Sequence, residues 1–118
     1  MATLIVGGQA HQCTAMTLIA VELAWDDITA LANPTSPVDQ MTRFLRILAT
    51  YNAVRDNAGK TEAEIKDAID VELMKLKRVA TLGDMKNLDV AIVTWMKESG
   101  VFNDAPADPA QGEASATS

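Results

Sequence analysis

MTRFLRILATYNAV, residues 41–54, is the stretch on which the fold turns. Met41, Phe44, Leu45, Leu48 and Tyr51 recur at three- and four-residue spacing, which places them on one face of a helix. Ile47 and Val54 widen that face until only Arg43, Arg46 and Thr50 hold a solvent stripe. A helix apolar around most of its girth must be covered from more than one side. The remaining elements are expected to be that cover.

Working outward, Ser36-Pro37 with Asp39 forms a firm helix start, so the central helix is expected from Pro37 to about Arg55. Asn33-Pro34-Thr35-Ser36-Pro37 separates it from a preceding helix, Leu18 to Leu31, for which Thr17 is the expected N-cap. Spacing directs Leu18, Val21, Trp25, Ile28 and Leu31 inward on that helix, with Glu22, Asp26 and Asp27 on the polar side. Upstream, Thr3–Val6 and Gln9–Ala15 flank Gly7-Gly8, a pair that suits a tight hairpin. Two strands alone are marginal in water, so the hairpin must lean on helices.

Downstream, Thr61-Glu62-Ala63-Glu64 is a capping box. It opens a helix with Ile65, Ile69, Leu73, Leu76 and Val79 inward and Lys66, Asp67, Asp70, Lys75 and Lys77 outward. Leu82-Gly83-Asp84 interrupts it, and Asp84 is expected to cap a last helix from Met85 to about Glu98. The β-branched run within LDVAIVTW would suit a strand, but Met85-Lys86 and Met96-Lys97-Glu98 on either side favour helix. The fold class is therefore mainly α: a four-helix domain, residues 1–102, with a short N-terminal β-hairpin. Residues 103–118 contain two prolines, three acids and nothing aliphatic larger than alanine, and are expected to form a disordered acidic tail.

Composition narrows the function classes. The net charge is −6, with no basic patch, which argues against nucleic acid as a partner. Only five aromatic residues but six methionines are present, so the core is soft and aliphatic. A single cysteine excludes an internal disulfide and fits a reducing cytoplasm. The longest apolar run, Val90–Val93, is far short of a membrane span, and no targeting segment is visible, so the protein is expected to stay where it is made.

Chemistry is sparse. His11 and Cys13 share a strand face but lack further His or Cys ligands for a metal, and nothing marks a third residue to complete a nucleophile pair. Asp26-Asp27 and the Glu62, Glu64, Asp67, Asp70 group read as solvated helix faces. Gly7-Gly8 lacks the remainder of a dinucleotide fingerprint. No enzyme, cofactor or metal is expected. Trp25 and Trp95 read as core, although Trp95 near a helix end is also placed to anchor a partner.

One arrangement resembles a known family. LIVGGQAHQCTAMTL leads into a helix, followed by NPTSP, the central helix, the GKTEAEI cap, a final helix ending KESG and a polar tail. This order, with Ile5 to Gly8, Ala15 to Leu18 and Thr61 to Ile65 as the matching pieces, is similar to the tail assembly chaperones of long-tailed (siphovirus-like) bacteriophages. The resemblance implies a non-enzymatic protein in the host cytoplasm that binds the tape-measure protein and keeps its apolar helices soluble. It also implies recruitment of the tail tube protein by a longer, frameshifted form. The chain departs from that pattern in offering only Gly112-Glu113 where slippery sites often encode lysine or glycine pairs.

A holdase needs apolar surface that can re-pack. Trp95, Met96, Val101 and Phe102 are the partner-binding candidates, with Met16 and Met74 in support; the competing reading is that they close the core. A virion structural subunit, such as a head–tail connector or capsid accessory protein, is the alternative function. A homo-oligomer is compatible with either.

Overall fold

The computed structural model describes residues 1–101, and Phe102 and the expected tail at 103–118 lie outside them. Strands β1 (Ala2–Val6) and β2 (Gln9–Cys13) precede helices α1 (Leu18–Ala30), α2 (Pro37–Asp56), α3 (Glu62–Val79) and α4 (Met85–Glu98). A single 3-10 turn, Leu82–Asp84, joins the last two helices. The chain is mainly helical with a two-stranded N-terminal hairpin, and the run LDVAIVTW is helical.

The hairpin is antiparallel, with Val6 opposite Gln9 and Ala2 opposite Cys13. Gly7 and Gly8 take φ of 58° and 81°, the left-handed values that a two-residue hairpin turn demands. Gly7 is constrained twice, because a Cβ there would lie 2.5 Å from the Val79 carbonyl oxygen. Alternation along β1 buries Ala2, Leu4 and Val6, and that face packs on α4.

Helix α2 is the hub, in contact with α1, α3 and α4. Met41, Phe44, Leu45, Ile47, Leu48, Ala49 and Ala53 are all buried along it. Its start is fixed as the sequence dictates: the Ser36 hydroxyl accepts from Asp39 N at 3.0 Å, with Pro37 in the first turn. The α3 capping box also forms, with Thr61 N donating to Glu64 Oε1 at 2.9 Å and Glu64 N to Thr61 Oγ1 at 3.2 Å.

Several expected positions are corrected. Thr50 is buried rather than solvent-facing; its hydroxyl is satisfied by donating to the Arg46 carbonyl at 2.8 Å, which removes the cost of desolvating it. Val79 ends α3 half exposed, its carbonyl and Cβ meeting the hairpin turn at Gly7. Thr17 occupies the N-cap of α1 without a side-chain cap bond. Asp84 occupies the N-cap of α4 but makes no side-chain cap bond there; its Oδ2 instead accepts from Thr81 N at 2.9 Å, within the capping box of the 3-10 turn, and from Gly7 N at 3.0 Å. Those two amides hold its carboxyl below the ordinary Asp range.

The largest correction concerns α1. Its buried face is Ala20, Ala24, Asp27 and Ile28, while Leu18 is exposed and Trp25 is 48% exposed. The two alanines let α1 approach α2 closely, and the electrostatics fit that rotation. Asp27 is buried but accepts a hydrogen bond from Arg43 Nη1 at 2.9 Å, with Arg46 Nη1 at 3.8 Å. A buried carboxylate is tolerated when paired and hydrogen-bonded. In turn, the Asp27 hydrogen bond raises the Arg43 guanidinium above its already high range.

Candidate functional site

The two faces of α4 determine what the surface offers. Toward the hairpin, Trp95 is fully buried, its Nε1 donating to the Thr14 carbonyl at 2.7 Å. Its ring meets Tyr51 edge-on, with centroids 5.2 Å apart. The Tyr51 hydroxyl accepts from Thr14 N at 3.2 Å, and Ser99 Oγ accepts from Met16 N at 2.9 Å. This corner joins the hairpin, α2 and α4 through satisfied polar groups around an aromatic pair, an arrangement that rigidifies a junction.

Toward α1 the surface is open. Ile28, Leu31 and Ala32 from α1 and its end, Phe44 from α2, and Ile92, Val93 and Met96 from α4 line a groove of about 250 Å³. Gln40 and Asp89 complete its lining, so the site is apolar with one acid. Val93 is partly exposed beside it, and on the same two helices Trp25 and Val90 also expose apolar surface. Helix α1 contributes Glu22 and Asp26 to the exterior and carries no base. Asp27, the acid beside them, is instead turned inward onto Arg43.

Of the residues singled out from sequence, Trp95 and Met96 are both buried, and Met96 also meets the groove lining. Both therefore close the core, and Trp95 offers no surface to a partner. Val101 is half-buried, its N donating to the Met96 carbonyl at 3.0 Å, and Phe102 lies outside the described residues. Met16 is buried, while Met74 is half exposed on α3. Trp25 and Val93 are exposed apolar side chains that the spacing does not single out as such. The signal for Trp25 was the Ala20–Ala24–Ile28 stripe, whose four-residue spacing defines an inward face without the tryptophan.

His11 and Cys13 do share a face of β2, with Sγ 3.7 Å from the His11 carbonyl. Burial pushes the Cys13 thiol up to about 11, so it stays protonated at neutral pH. Burial, and then the nearby Arg55 charge, lowers His11, so the imidazole stays neutral. That is the reverse of the thiolate–imidazolium state that an activated cysteine needs. Among the described residues no three His, Cys, Asp or Glu side chains converge as metal ligands, and no helix is long and apolar enough to cross a membrane.

Comparison with known proteins finds no matching family model, no matching curated protein and no matching solved structure.

Proposed function

We propose that this chain is a non-enzymatic tail assembly chaperone of a long-tailed bacteriophage, which binds the tape-measure protein and keeps it soluble while the tail is built. The observation that carries this reading is the uncovered apolar groove between α1 and α4, with Val93 exposed in its lining. A helix of a partner laid along such a groove would bury apolar side chains at three- and four-residue spacing. The order of hairpin, NPTSP break, central helix and capped third helix supports the same assignment through its resemblance to that family.

The test is co-expression with the tape-measure protein that this reading places in a neighbouring gene. The reading expects the tape-measure protein to remain soluble and to co-purify with the chain, and the chain to be absent from finished particles. A tape-measure protein that precipitates regardless overturns it. A stoichiometric band of the chain in purified virions would establish a structural subunit instead.

A further inference from the structure

A second concavity lies on another side of the molecule, where the β2–α1 connection, the end of α2 and the start of α3 meet. Its volume is about 460 Å³, within the ~300–1,000 Å³ usual for small-ligand sites. Ile19, Ala20, Val54 and Ile65 supply apolar walls. Thr14 and Tyr51 supply hydroxyls at one side, already bonded to each other at 3.1 Å.

The charge at this cleft has the opposite sign to the chain as a whole. Arg55 and Lys60 both line it. The Arg55 guanidinium lies 5.6 Å from the Tyr51 ring centroid and shares its charge with Asp56, Nε to Oδ1 at 2.9 Å. Lys60 makes no ion pair among the described residues, although its backbone is fixed by donating to the Asn57 carbonyl at 3.0 Å. One unpaired ammonium, one partly neutralised guanidinium and a hydrocarbon-lined recess are suited to a single negative charge on an apolar body. A polyanion such as a nucleotide would meet too few cations here, on a protein of net charge −6.

We infer that this cleft is a binding site for a small monocarboxylate amphiphile, its chain held among Ile19, Ala20, Val54 and Ile65 and its carboxylate held by Lys60 with Arg55. The site is separate from the α1–α4 groove and does not depend on the chaperone reading.

The experiment follows backbone amide shifts in the full chain as decanoate is added to millimolar concentration, with decanol as the uncharged control. The inference expects saturable shifts at 14–20 and 54–60. It also expects decanoate to bind about tenfold more tightly than decanol, the size of one charge-assisted contact. Lys60→Gln, at an exposed loop position, is expected to abolish that preference, and Lys60→Arg to restore it. No saturable shift at these residues, shifts confined to the α1–α4 groove, or an undiminished preference in Lys60→Gln would each overturn the inference.

Discussion

The two faces of α4 solve opposite problems with similar residues. On one, Trp95 is enclosed by Tyr51 and the hairpin, and its indole N–H finds the Thr14 carbonyl. On the other, Ile92, Val93 and Met96 face a gap beside α1 that nothing within the described residues fills. Apolar residues on a helix thus do not distinguish a covered face from an open one. What distinguishes them is whether a second element comes close and brings partners for the polar atoms.

The two faces should differ most at Trp95. Trp95→Ala should cost about 3–5 kcal/mol in urea denaturation, because it leaves a large cavity and an orphaned Thr14 carbonyl. Trp25→Ala, by contrast, should cost only about 1 kcal/mol, because that side chain is already 48% exposed. Equal losses at the two tryptophans would mean that α1 packs through Trp25 after all. Gly7→Ala ranks second, at roughly 1–3 kcal/mol, since it forces a left-handed φ on a side chain that also meets the Val79 backbone.

Smaller still is the acid dependence of two carboxylates held by backbone amides. Asp84 is held below its ordinary 3.8 by the Thr81 and Gly7 amides, and Glu64 below 4.5 by the Thr61 amide and hydroxyl. Both folded values lie below the unfolded ones. Their contribution is therefore fully present above about pH 5 and is lost as pH falls through the folded values. Asp84→Asn should lower stability at neutral pH and flatten that acid decline, measured as urea midpoints from pH 6 down to about 3. An unchanged slope would show that the Asp84 bridge to the hairpin turn contributes nothing.

Much of this was legible in the chain because local rules and tertiary demands agreed. In α2 the apolar positions are large and closely spaced, and Ser36-Pro37 fixes its start; in α3 the capping box does the same. Helix α1 defeats its own spacing because two candidate faces compete along it. Leu18, Val21 and Trp25 outweigh Ala20 and Ala24 in hydrophobicity, yet small residues win where helices pack closely. Asp27 reads as solvent-facing until Arg43, 16 positions away, is seen beside it. The groove was not legible at all, since it is a gap between α1 and α4, which have α2 and α3 between them in sequence.

On the proposed function, the partner is received by the open face of α4 and not by exposed apolar surface in general. Helix α3 supplies the control, because Val71 and Met74 are exposed there as well. The most direct measurement is the affinity of the tape-measure protein for Val93→Glu and for Met74→Glu, with helicity checked in both. At least a tenfold loss is expected for Val93→Glu, the scale of a charge placed in an apolar interface, and little change for Met74→Glu. Equal losses at both positions, or a loss at Met74 alone, would contradict it.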